Sequence, residues 1–577
     1  MKKEQLKKLI SAARGKIEAD IVIKNCNVVD VLGGKIILSD IAIVDEYIVG
    51  VGKYSGKVEI DGEGLYASAG FIDSHIHIES SYLSPEELGK MIVPLGTTTI
   101  IADPHEIVNV CGLDGLEYIE SASKNTALNV KVMMPSCVPA TPFETSGANI
   151  LAKDMVGAIR DKSVLGLGEF MNFVGVNNLD DEVLDKLLTS IDEDIVVDGH
   201  APFLTGKDLN GYLVSGIKTD HECATVKEME EKISAGMYVM LREGSACHDL
   251  RNLSKGVNFY NACRCLLCSD DRQPKTILDL GHVNSHIRTL VEEGIDPILA
   301  IRMATKNPAE CYNLRGEGAI CSGYFANIVL FDNLKDFNVK KTFIGGKLVA
   351  ENGKYLPKVE KADISKVVNK MNVKGFNKEK LSLKIAGDKA LTIGICEGGV
   401  TTKKEVVKVR TANGEFVFDE KIDAVKVAVV ERHKGTGNVA VGLLSHYGIK
   451  RGAVALSIAH DSHNIIVVGT SDDDMEFAVN SLISQGGGIV LVDGGEILEA
   501  MPMQIAGLMS DKDGRYVDDK LTSLHNVAIE KLGVSSRVEP IMTLCFMSLA
   551  VIPEIKITDK GLFDVDKFAF TEVNNIE

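Results

Sequence analysis

Between residues 70 and 269 eight short apolar runs recur, many of them β-branched: Gly70–Asp73, Thr97–Ala102, Val130–Met134, Val164–Gly168, Ile195–Val197, Ile217–Thr219, Met237–Leu241 and Leu266–Ser269. Each is too short for a buried helix and long enough for an interior strand. Helical patterns such as "LSPEELGKMIVPLG" and "LDDEVLDKLLTSIDED" fill most of the intervals. Strands separated by helices pair in parallel, because a crossover of that length returns the chain in the same direction. Eight such units over about 250 residues match the size of a TIM-like (β/α)8 barrel. A doubly wound open sheet is the competing α/β layout.

The flanks have a different texture. Residues 20 to 67 carry strand-like runs with turn residues, as in "KIILSDIAIVDEYIVGVG", and residues 322 to 356 repeat that pattern. The expected architecture is therefore a barrel inserted in a composite β-sandwich domain. Residues 1–67 form an N-terminal surface helix and the first part of the β domain, 68–314 the barrel, and 315–360 the second β part. From 361 to 577, strands joined by glycine turns, as in "GAVALSIAHDSHNIIVVGTSDDD", predict a C-terminal α+β domain.

Composition narrows the partners. A net charge of −18 opposes polyanions, and no basic stripe is present, so no nucleic-acid partner is expected. No apolar run reaches the roughly 18 to 20 residues that span a bilayer, so no membrane partner is expected. Of twelve cysteines only Cys263, Cys265 and Cys268 cluster, and no second group completes a four-sulfur site. With no export signal at the N-terminus, reduced thiols in a cytoplasmic protein are expected. The apolar edges of two β domains predict a homodimer.

Chemistry in a barrel sits at the carboxyl ends of its strands. His75 and His77 follow the first run, Glu169 the fourth, His200 the fifth, His221 the sixth, and Asp270 with Asp271 the eighth. Two imidazoles two residues apart leave the same face of an extended segment and can chelate one cation. Nitrogen and carboxylate ligands without thiolate suit zinc, iron or manganese. Two divalent ions are the natural capacity: one on His75 and His77, a second on His200 and His221, with Glu169 bridging. A water between two cations ionises near neutral pH, and Asp270 is placed to take its proton and deliver it to a leaving group.

In "GFIDSHIHIESS", "ADPHEIVNVCG", "GLGEFMNFVGV", "DGHAPFLTGKDLNGYLVSGIKTDHECAT", "LREGSA", "CSDDRQP" and "GLMSD" the chain resembles the adenine deaminases of the amidohydrolase superfamily nearly end to end. The resemblance implies metal-dependent hydrolysis of adenine to hypoxanthine and ammonia, with water as co-substrate and Mn2+ or Fe2+ in a binuclear centre. Position by position it marks His75, His77, Glu169, His200, His221 and Asp270 as the metal set. Many relatives bridge their metals with a carbamylated lysine after the fourth strand. Glu169 in that place argues against dihydroorotase and dihydropyrimidinase chemistry. A hexosamine-phosphate deacetylase, which also uses glutamate there, is the alternative.

The acid that protonates the purine ring is Asp271 or Glu243, and spacing does not choose between them. His105, Glu106, Arg242, Ser245 and Arg272 are candidate substrate contacts, each also explicable by a capping bond or ion pair. His282 and His286, four apart, are expected on a solvated or capping helix face. His460, Asp461 and His463 are expected in an exposed turn, with a metal-ligand set as the alternative.

Overall fold

The computed structural model describes residues 1–396 and 398–576. The eight runs become strands β1 (Phe71–Ile76), β2 (Thr97–Ala102), β3 (Asn129–Val132), β4 (Gly166–Phe170), β5 (Val196–Gly199), β6 (Thr219–Asp220), β7 (Tyr238–Arg242) and β8 (Cys265–Cys268). Every pairing among them is parallel. They form three ladders, β1-β2-β3, β4-β5 and β6-β7-β8. Single parallel bridges join the ladders end to end, at Met134–Leu167, Val197–Ile217 and Ile76–Asp270. All residues of β1, β2 and β8 are buried, so none of them shows an apolar–polar alternation set by a solvent face.

The intervening helices begin where their sequences say they should. Pro85–Ile92 has proline at its first position and Glu86 and Glu87 in its first turn. Asp180 caps Asp181–Ile191 by accepting from the Glu182 and Val183 amides, and Thr225 caps Val226–Ser234.

The two flanking β segments share one nine-stranded sheet. Ile328–Phe331 pairs antiparallel with Tyr66–Ala69, which closes the chain around everything between them. The C-terminal region builds an eight-stranded sheet with the helices Asp472–Ser484 and Gly514–Glu530 against it. It also reaches the loops beyond the strand ends. Ser510 N donates to Tyr82 O at 2.8 Å, and Thr145 donates to Asp559 from its amide and its hydroxyl, at 2.8 and 2.7 Å. Phe143 packs against Phe563, Phe568 and Phe570.

One expectation about this region is overturned. His282 and His286 are fully buried rather than solvated. His282 Nδ1 lies 2.9 Å from the Thr97 hydroxyl, and its Nε2 lies 3.3 Å from Asp73 Oδ2. Burial drives both rings well below the usual histidine range, leaving them neutral. All twelve cysteines are free, with Cys263 exposed.

Candidate metal centre

The six side chains chosen from strand ends converge. His75 Nε2 and His77 Nε2 lie 3.1 Å apart, and Asp270 Oδ1 is 3.7 Å from the first and 3.2 Å from the second. Glu169 turns one oxygen to each side: Oε1 is 3.4 Å from His77 Nε2, while Oε2 is 2.8 Å from His200 Nδ1 and 3.2 Å from His221 Nε2. His200 Nδ1 and His221 Nε2 are 3.3 Å apart. The donor atoms form overlapping groups, among them His75, His77 and Asp270, His75, Glu169 and His221, and His200, His221 and Glu222, each close enough to hold a divalent ion about 2.0–2.2 Å from its nitrogens and oxygens.

Backbone and neighbours fix each ligand. His77 Nδ1 donates to Asp103 O at 2.9 Å, which presents Nε2 inward. Glu169 N donates to Asp103 Oδ2 at 2.8 Å. Gly168 is needed beside it, because a Cβ there would sit 2.2 Å from that same oxygen. Asp270 adopts a left-handed φ of 62°, and its amide donates to His75 O at 3.0 Å while its carbonyl accepts from His77 N at 2.9 Å. That exchange ties the end of β8 to the end of β1.

Burial disfavours the charged forms throughout, and ion pairing overrides it at most ligands. Burial opposes charge on His77, yet Asp270 and Glu169 lift it well above the usual range. His200 is raised to about 9 against burial by Glu222 and Glu169, and His221 is raised against burial by Glu169. His75 goes down, through burial and the adjacent His221. Burial pushes Glu169 and Asp270 upward, but His200 and His77 respectively lead the groups that hold them well below the carboxylate range.

The other candidates are placed as follows. His105 joins the donor set, with Nδ1 3.4 Å from Glu169 Oε1. Glu106 faces away from it, toward His460 Nδ1 at 3.2 Å, and accepts from Ser80 Oγ at 3.1 Å. Arg242 is committed to acids: it pairs with Glu222, with Asp249 at 3.1 Å and with Asp270 Oδ2 at 3.0 Å. Arg272, also buried, spends its donors on Gly281 O, Glu243 O and Ser285 Oγ. Ser245 Oγ accepts from Gln273 N at 2.9 Å, at the start of the helix Pro274–Leu280. Asp271 accepts from the Ser245 and Ala246 amides, and burial with the neighbouring Asp270 raises it to about 7. Glu243 is paired with His248 at 2.9 Å.

The expected exposed turn is also overturned. His460 is half-buried and Asp461 and His463 are buried, because the turn docks on Glu106 and His105 rather than facing solvent. Glu106, His460 and His463 lie within ligating distance of one another. His463 Nδ1, however, accepts from Ala459 N at 3.2 Å, so the neutral ring carries its proton on Nε2 and offers no second lone pair to an ion.

The family described as amidohydrolase matches residues 66–349, and the family described as adenine deaminase C-terminal domain matches residues 399–569. The chain is 60% identical to "Adenine deaminase 2" of Desulfotalea psychrophila over 99% of both chains. It is 50% identical to "Adenine deaminase" of Ligilactobacillus salivarius, again over 99% of each. It is 47% identical to that of Clostridium acetobutylicum over 97% of this chain and 99% of the other. The chain belongs to the adenine deaminases of the amidohydrolase superfamily. Sequence reasoning passed over Glu222, which forms a donor group with His200 and His221. Its signal was its place beside His221 in "GIKTDHE". Asp198, 3.9 Å from His75 Nδ1 and bonded by the Tyr312 hydroxyl at 2.8 Å, and Asp103 were also passed over. Both lie immediately after or within strands already marked.

Proposed function

We propose that this protein hydrolyses adenine to hypoxanthine and ammonia at a centre of two divalent ions, Mn2+ or Fe2+, with Zn2+ also compatible with the donors. The observation that carries the proposal is the bridging posture of Glu169, one oxygen toward each histidine pair. When bound, the ions supply an ionised water and polarise the reacting centre. His75, His77, His200 and His221 hold and space them. Asp270, anchored by Arg242 and held anionic, accepts the proton of the attacking water and returns it to the exocyclic amine, so that ammonia leaves rather than amide ion. Of the two ring-acid candidates, Asp271 is favoured, because burial and the adjacent Asp270 raise it to about 7.

The same reading takes the three parallel ladders and their bridges as one TIM-like barrel. It divides the chain at 1–67, 68–314, 315–360 and 361–577. A cytoplasmic homodimer serving purine salvage, without nucleic-acid or membrane partners, completes it. The free thiols and the net charge of −18 support that part, and no described helix is long and apolar enough to cross a membrane. The test is ammonia release from adenine by protein depleted with a chelator and reloaded with each metal in turn. Release that follows metal content to two ions per chain is expected. Silence with every divalent metal defeats the proposal.

A further inference from the structure

The turn from Ala459 to Asn464 is built to hold one side chain still. His463 N donates to Ala459 O at 2.7 Å, Ala459 N donates to His463 Nδ1, and Arg432 binds His463 O. Asn464 Nδ2 donates to Thr145 O at 2.8 Å, which docks the turn on the loop after β3. Asp461 at its tip is 4% exposed; its Oδ1 is ion-paired with His105 and His460, and its Oδ2 is not. Oδ1 stands 3.7 Å from His105 Nε2, beyond hydrogen-bond reach, and Oδ2 has no partner. The opposite nitrogen of the same ring is 3.4 Å from Glu169 Oε1. One imidazole therefore separates a buried, unsatisfied carboxylate from the carboxylate that bridges the metal groups. A buried acceptor left open is costly, and a ligand donor relieves that cost.

Adenine offers two kinds of donor. Its exocyclic amine must face Asp270 and the water, and its remaining N–H lies on the five-membered ring, across the molecule from the reacting carbon. We propose that Asp461, carried by the C-terminal domain, accepts that ring N–H and so selects the free base over the nucleoside, whose sugar occupies the nitrogen. This rests on the adenine reading above. It makes the C-terminal domain a wall of the substrate pocket, and Asp461 a specificity residue rather than a metal ligand.

The test uses the full-length, metal-loaded protein and two variants, Asp461→Ala and Asp461→Leu. The readouts are kcat and KM for adenine, and the inhibition constant of 9-methyladenine, which has no ring N–H. The expected result is a rise of about 100-fold in adenine KM with the 9-methyladenine constant moved less than about 3-fold and metal content intact. Equal losses for both compounds overturn the assignment in favour of a structural role, as does an unchanged adenine KM. If Asp461→Ala does not fold, Asp461→Leu, similar in shape and lacking an acceptor, is held to the same criteria. Native protein inactive on adenine would instead sink the underlying reading, an outcome visible before any variant is made.

Discussion

Glu144 gives the sharpest quantitative check on how the C-terminal domain is attached. It lies buried in the loop after β3, beside Ser462 and facing Asp461 and Asp559. Burial, reinforced by those two acids and only partly offset by the nearby Ser462, lifts its carboxyl from 4.5 to about 8. Between those values the folded protein keeps a proton that the unfolded chain has already lost. Stability therefore falls as pH rises through that window and levels off above about 8. At 1.36 kcal/mol per pH unit, the loss from this carboxyl between pH 5.5 and 8.5 is about 3 kcal/mol. Glu144→Gln removes the titration and keeps the shape. Urea unfolding of both proteins at the two pH values isolates the effect, because the other titrating groups cancel in the difference. The variant's advantage over the native protein should grow by about 3 kcal/mol on going to pH 8.5. An advantage that is the same at both pH values would mean that Glu144 is ionised inside the fold, and the account of this interface would be wrong.

Glu169→Gln removes the charge shared by the two donor groups. Elemental analysis should find fewer than two ions per chain, with ammonia release down at least about 100-fold. Asp270→Asn should keep its metal and lose about 1,000-fold in turnover, and undiminished activity would contradict its proton-transfer role. Lys232 is buried, with Nζ donating to Ala201 O at 2.7 Å, Glu228 at 2.8 Å and Asp220 at 3.0 Å. Lys232→Met strands those two acids and should destabilise the fold by about 3–5 kcal/mol, read from denaturant unfolding.

What the sequence discloses here follows from how locally each feature is determined. The strands are legible because burial on both faces removes the alternation that a solvent face would set. Even the two-residue β6 was located, by the run Ile217–Thr219 that overlaps it. The convergence of the proposed metal ligands is legible for a related reason: a fixed rule places them at the ends of those runs, so Glu169 and His221 needed no knowledge of their partners. Polar residues whose surroundings come from elsewhere in the chain carry no such mark. "HDSH" between two apolar strands looks the same whether it meets water or Glu106, and only docking of the C-terminal domain on the loops after β1, β2 and β3 decides. His282 and His286 were misplaced for the same reason, since a helical face bearing histidines reads as solvated until the elements that cover it, with Thr97 beside His282, are seen. The failures therefore cluster where buried polar groups meet across long separations. Asp461 is such a group, and it keeps an unanswered oxygen even after the whole fold has assembled around it. That open oxygen, one ring away from Glu169, is what the proposed contact with the substrate's ring N–H would answer.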